Sequence, residues 1–230
     1  MAWRLELWIY RNLNHSKYQY DFYVESGQHG MYDNEVQHLG GKTYFSQGKH
    51  FYNIPDFKSF YEFLVQHPEY KIVYAYNQWA GFYLKQAKKC NVPFRIANAR
   101  TSIGTISTNN LIKNLVKLNV NRYATHRFAV SKKAANWLFG KRMVNSGNVM
   151  VLPNAIDAKK FVFSEKVRDE VRKELHLDNS YIVIHVGNIR FEKNHEFLLK
   201  VFAEIKKKLQ NAKLVLIGNG NIKILEPQLE

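Results

Sequence analysis

The chain has 230 residues, 46% of them hydrophobic, which is enough for one large or two small domains with a packed core. A single cysteine, Cys90, excludes a disulfide framework and a cysteine metal cluster, and no run approaches the roughly 20 apolar residues that cross a bilayer. The 34 Lys and Arg outnumber the 19 Asp and Glu, for a formal net charge of +15.

Apolar spacing predicts a helix over Trp3–Leu13 with Leu5, Trp8, Ile9 and Leu13 inward. A strand at Tyr20–Val24 follows, then a short helix, Asp33–Leu39, stopped by Gly40-Gly41, and a strand at Thr43–Phe45. Asp56–Gln66 reads as a helix ended by Pro68, Ile72–Ala75 as a strand and Gln78–Lys89 as a helix. Next come a strand at Phe94–Ala97, a helix at Asn110–Asn119 and a strand at Arg127–Val130. Ser131 caps a helix over Lys132–Phe139 that Gly140 stops, and Val149–Leu152 is a strand. A helix at Ser164–Leu177 precedes an apolar strand, Tyr181–Val186, expected to be buried. Beyond Gly187 a polar loop leads to Asn194, which caps a helix carrying Phe197, Leu198, Val201, Phe202 and Ile205. The strand Leu214–Ile217 then ends at Gly218-Asn219-Gly220. Alternating strands and helices predict an α/β fold with parallel sheet. We expect a Rossmann-like amino-terminal domain at 1–152, a linker at 153–163 and a partial second domain at 164–230.

Charge is distributed unevenly. Residues 1–150 hold 20 basic and 8 acidic residues, whereas 151–230 hold 14 and 11. No acid lies between Glu69 and Asp157, an interval with 14 basic residues. A surface so one-signed attracts lipid head groups, pyrophosphates or nucleic acid. Scattered lysines alone would only solvate a face.

Strand–loop–helix units place ligand loops at the carboxyl ends of strands, and a helix amino terminus favours anions. Lys193, just before such a terminus, reads as a phosphate contact rather than a solvated lysine. Arg190 shares its loop, and Gly187 serves the tight turn and secondarily close phosphate approach. Asn77 and Gln78 follow one strand, and Asn98 and Arg100 another; they read either as acceptor contacts or as turn and cap residues. Arg100 has the fork that suits a phosphate. Asn154 is a hinge or an ordinary turn residue after Pro153. Lys113, Lys117 and Arg122, with Leu111, Leu115 and Leu118, make a basic helix that suits an anionic membrane or plain solvent. His185, inside an apolar strand, is expected to be a satisfied core histidine. No pair of histidines has metal spacing on one helix.

VLPNAID (Val151–Asp157) and VGNIRFEKNHEFL (Val186–Leu198) resemble the linker and donor-phosphate loop of family 4 retaining glycosyltransferases. RFAVSKKAANWLFG (Arg127–Gly140), CNVPFRIANARTS (Cys90–Ser102) and HSKYQYDFYV (His15–Val24) resemble the amino-terminal domain of its capsular and exopolysaccharide members. The resemblance implies a GT-B-like architecture, a nucleotide-sugar donor and a lipid-linked saccharide acceptor. It implies retaining transfer without an obligatory metal, in the service of cell-surface polysaccharide synthesis. Lys193, Arg190 and Gly187 would then hold the donor phosphates, and Asn77, Gln78, Asn98 and Arg100 would lie on the acceptor side. Asn188 stands where the family places arginine, and Asn98-Ala99-Arg100 where it tends to place histidine. The family's first strand and Gly-rich turn, and its Glu-x7-Glu motif, have no counterpart in 1–230. A fragment truncated at both ends, with little or no activity alone, is therefore expected.

No cofactor and no metal are expected. No signal peptide is expected, because Arg4, Glu6 and Arg11 interrupt the apolar start. The expected location is cytoplasmic, peripheral on the inner face of the membrane. A non-catalytic subunit that binds an anionic acceptor is the alternative. Nucleic acid is not an expected partner: the charge and the 14% aromatic content fit one, but no recognition helix or RNA-binding signature is visible.

Overall fold

The computed structural model describes residues 3–25, 29–46, 57–101, 117–177, 179–222 and 225. The chain forms two compact units, Met1–Ile156 and Asp157–Glu230. Unit 1 runs α1 (Trp3–Arg11), β1 (Phe22–Val24), α2 (Asp33–His38), β2 (Thr43–Phe45), α3 (Phe57–Gln66), β3 (Ile72–Tyr76) and α4 (Ala80–Lys89). It continues with β4 (Phe94–Ala99), α5 (Leu118–Tyr123), β5 (His126–Ala129), α6 (Lys132–Phe139), α7 (Lys141–Asn145) and β6 (Met150–Val151). Unit 2 holds α8 (Glu165–Glu174), β7 (Tyr181–Val186), α9 (His195–Lys208) and β8 (Ala212–Ile217), with 3-10 turns at Ala158–Phe161 and Phe191–Lys193.

Every strand pairing among the described residues is parallel. In unit 1 the strands form a pair, β1-β2, and a four-stranded sheet, β3-β4-β5-β6. In unit 2, β7 and β8 pair over their full length from Tyr181–Ala212 to Val186–Ile217. Sequential parallel strands joined by helices are the product of βα crossovers.

The main core packs α3, α4, α5 and α6 on the four-stranded sheet, around Leu64, Leu84, Ala97, Val120 and Leu138. Small residues on β3 and β4, Ala75, Ala97 and Ala99, let the helices lie close. Gly81 marks the tightest approach: a Cβ there would sit 2.7 Å from the Val120 nitrogen and 2.8 Å from the Asn119 carbonyl carbon. A second core joins Leu7 and Tyr10 of α1 to Phe22 and Val36.

Several expectations need correcting. The buried face of α1 is Glu6, Leu7 and Tyr10, while Trp8 and Ile9 are 36% and 39% exposed. Polar anchors set this phase: Tyr10 Oη donates to the Leu39 carbonyl and accepts from Gln19 Nε2. The strand Tyr181–Val186 is not fully buried, because Tyr181, Ile184 and Val186 are 60%, 58% and 69% exposed. Phe197 and Val201 of α9 are also exposed; His195 and Leu199 are its buried residues. The helix α7 was not foreseen. Leu111, Lys113, Leu115 and Asp56 lie outside the described residues.

Gly→Ala inside a helix usually stabilises by up to about 1 kcal/mol. We predict that Gly81→Ala does the opposite, lowering unfolding free energy by about 2 kcal/mol because the new methyl meets backbone. Urea denaturation of the two forms measures this, and an unchanged or raised midpoint would refute it.

Candidate functional site

In unit 2 the carboxyl ends of β7 and β8 open into two loops laced together by backbone. The Gly187 N–H donates to the Ile217 carbonyl at 2.8 Å, and Ile189 N–H to the Asn219 carbonyl at 2.9 Å. Asn188 Oδ1 accepts from the Asn219 N–H at 3.3 Å. Contact is so close that a Cβ on Gly218 would lie 2.1 Å from the Gly187 carbonyl oxygen. Asn188, a departure from the resembled family, is thus one of the residues that join the loops. Only the Gly218-Asn219-Gly220 run hinted at this in the sequence.

From this junction the chain turns once through Phe191–Lys193 and enters α9. Asn194 adopts a left-handed conformation, φ 45°, and its side chain caps the helix by accepting from Phe197 N–H. The N–H groups of His195 and Glu196 have no acceptor within the helix. Arg190 and Lys193 are exposed beside this terminus, with no ion pair among the described residues. The aliphatic part of Lys193 passes over Gly187, its Cδ and Cε both 3.5 Å from where a Gly187 Cβ would stand. Gly187, Arg190 and Lys193 are therefore brought together at a helix amino terminus, an arrangement suited to an anion.

Sequence reading assigned no role to His195. His195 is 4% exposed, its ring meets that of His185 edge-on at 5.0 Å, and neither of its ring nitrogens has a hydrogen-bond partner among the described residues. His185 is not the satisfied histidine expected, since its Nε2 also lacks a partner among the described residues.

In unit 1, the residues after β3 and at the end of β4 hold each other. Asn77, at φ 55°, donates its N–H to the Asn98 carbonyl, and its Oδ1 accepts from the Arg100 N–H, both at 2.9 Å. Asn98 is 5% exposed and donates through Nδ2 to Tyr74 Oη at 2.6 Å. Arg100, expected as an anion contact, is ion-paired with the buried Glu6 and lies over the Tyr76 ring. Glu6 lies 94 residues away in sequence, so no local signal announces the pair. Gln78 is half-buried near this edge, and Asn154 is exposed.

Several cations of the acid-free interval are structural. Arg95 donates to the Tyr123 and Val92 carbonyls, and Arg127 to those of Asn121 and Ala124. Both satisfy the open carboxyl end of α5. Lys117 lies 5.3 Å over Trp137, and burial lowers its pKa; Arg122 lies over Tyr123. Among the described residues no group of three or more His, Cys, Asp or Glu is placed to hold a metal ion. No helix among them is long and apolar enough to cross a membrane.

Residues 167–225 match the family described as Glycosyl transferases group 1. Over 220 residues the chain is 28% identical to "Putative glycosyltransferase EpsF" of Bacillus subtilis (strain 168), covering 92% of this chain and 57% of that protein. Crystal structures of Anabaena HepE with UDP and with UDP-glucose superpose with TM-scores of 0.71 and 0.68. Their identities are 15% and 17%; the match covers 98% and 91% of this chain and 62% and 64% of theirs. An S. aureus MnaA–UDP structure, 18% identical, reaches 0.52 over 86% of this chain and 55% of its own. The chain thus spans less than two thirds of the length of these relatives. The GT-B-like α/β class expected from the sequence is shown by these superpositions. The β7–α9 loop described above falls within the matched residues.

Two substitutions test the geometry. Gly218→Ala should cost unit 2 about 2 kcal/mol or more, because the methyl collides with backbone, and heat or urea unfolding reads the loss. Glu6→Gln, which removes the buried carboxylate that Arg100 meets, should cost about 3 kcal/mol in the same assay. A change below about 0.5 kcal/mol in either would contradict the packing described.

Proposed function

We propose that this chain is part of a glycosyltransferase that takes a sugar from a nucleotide-sugar. The observation that carries the proposal is Lys193 and Arg190 beside Gly187 at the α9 amino terminus, inside a glycosyl transferases group 1 domain. As the bond between sugar and diphosphate breaks, negative charge grows on the leaving group. A fixed cation and open helix N–H groups stabilise that charge without a metal. HepE has been crystallised with UDP and UDP-glucose, which supports a uridine diphosphate donor here.

On this reading Lys193 and Arg190 contact the diphosphate, and Gly187 leaves room for the lysine stem across the loop floor. Unit 1 takes the acceptor, with Gln78 near its sheet edge and Asn77, Asn98 and Arg100 shaping the edge. A lipid-linked saccharide fits the basic excess of residues 1–150, and likeness to EpsF supports a role in exopolysaccharide assembly. Lys113, Lys117 and Arg122 would face an anionic membrane from the cytoplasm, and Asn154 would serve the hinge. Catalysis of this kind requires neither cofactor nor nucleic acid.

Titration calorimetry with UDP tests the donor site in the full chain. Lys193→Ala should weaken UDP binding about tenfold or more, the worth of one charge-assisted hydrogen bond, and Arg190→Ala should weaken it less. Equal affinity in wild type and Lys193→Ala would remove the basis of this assignment.

A further inference from the structure

Two imidazoles lie against the anion site of unit 2, and the chemistry described so far uses neither. His185 is the last residue but one of β7, and His195 opens α9. Their rings meet edge to face, with centroids 5.0 Å apart and planes at 88°. His185 Nε2 and both ring nitrogens of His195 are sealed from solvent and have no hydrogen-bond partner among the described residues. An imidazole always carries at least one N–H, and burying such a donor unpaired is costly. Atoms already closed off offer nothing for other parts of the chain to reach, so the want of partners belongs to the packing of β7 on α9.

The pair touches the residues assigned to the phosphates. A Cβ on Gly187 would stand 3.2 Å from His185 Nε2 and 3.5 Å from both Cδ and Cε of Lys193. Ring nitrogen and lysine stem therefore flank one point, beside the helix terminus whose first N–H groups are open.

The charges around the pair are mostly of one sign. The loop before α9 brings Arg190 and Lys193, both exposed, and the exposed Glu192. From α9 comes Glu196, whose carboxylate is engaged at 2.9 Å by Lys200 Nζ. On β8, Leu216 lies opposite His185, and the one charged residue, Lys213, donates to the His176 carbonyl at the other end of the strand. A proton on the pair thus has cations beside it and no acceptor to hold it. Imidazole is the side chain whose charge ordinarily changes near neutrality, and an anion placed beside it favours the charged form.

We propose that His185 and His195 act as a positioning pair that takes up one proton from solvent when a diphosphate binds at Gly187, Arg190 and Lys193. The proposal rests on the donor reading given above. A ring nitrogen lone pair accepts the proton, and no bond in the donor is broken by this step. His185 is only partly buried, which gives the proton a way in, and two rings in contact titrate together. The imidazolium then stands as a water-free cation behind Lys193. Its effect is greatest as the sugar departs, when the charge on the diphosphate rises.

The test uses the full chain and UDP-glucose, whose phosphates are both esterified and so lack the second ionisation at about pH 6 of a terminal phosphate. NMR follows the carbon-bound ring protons of His185 and His195 through a pH titration, with and without the nucleotide-sugar. The expected result is a midpoint moved to higher pH by UDP-glucose, together with wild-type affinity that rises about threefold or more from pH 8 to pH 6. The double variant His185→Gln, His195→Gln keeps polar side chains of similar size that cannot take up the proton. It should bind with affinity independent of pH, a difference that a merely structural role would not produce. Should that variant misfold, the ring titration of wild type still decides. Ring midpoints unmoved by bound UDP-glucose, or the same pH dependence in the double variant, would overturn this proposal alone. No binding of UDP or UDP-glucose by wild type at any pH would overturn the donor reading and this proposal with it.

Discussion

The candidate donor site depends on two carbonyl-bearing loops lying closer than side chains permit. Gly187 and Gly218 touch through backbone, and a Cβ on the latter would fall 2.1 Å from the carbonyl oxygen of the former. That contact fixes where the chain leaves β7. It therefore fixes the turn at Phe191–Lys193, the left-handed cap at Asn194 and the direction of α9. Cations at a helix terminus are useful only when the terminus is held still, since stabilisation of a growing charge rests on preorganised donors. Here the stiffness comes from hydrogen bonds between loops, with Asn188 supplying a side-chain link.

Charge plays two different parts in this molecule. The acid-free interval looked like a surface built for polyanions, yet Arg95 and Arg127 spend their donors on backbone carbonyls at the end of α5. Arg100 meets a buried carboxylate. What remains for partners is chiefly lysine, a compact cation whose attraction to an anionic surface is long-ranged and salt-sensitive. Net charge read from a sequence counts both kinds alike.

Local chemistry made much of the fold legible. Ser131 accepts from Ala134 N–H and Asn194 from Phe197 N–H, as their positions before apolar helical runs imply. The extents of β2, α6 and β7 follow from apolar runs bounded by glycine or polar residues. Phase was less legible. The inward face of α1 is decided by Tyr10 reaching Leu39 and by Glu6 reaching Arg100, contacts spanning 29 and 94 residues. At the candidate site Lys193 announced itself by position, but the buried His195 did not, because its environment is made by β7 across the crossover. Nor did the sequence reveal that Asn77 and Asn98 bind each other, since strand register was needed to bring them together.

The ion pair between α1 and the end of β4 also orders events in time. A carboxylate withdrawn from water without its counter-charge is costly, so α1 gains little by docking before Arg100 has been synthesised and set in its strand. During synthesis the Glu6 side of α1 therefore finds its counter-charge only after Arg100 has been made, whereas Leu7 and Tyr10 meet Phe22 and Val36 sooner. Docking of this helix is thus completed only by a residue 94 positions downstream of its buried carboxylate.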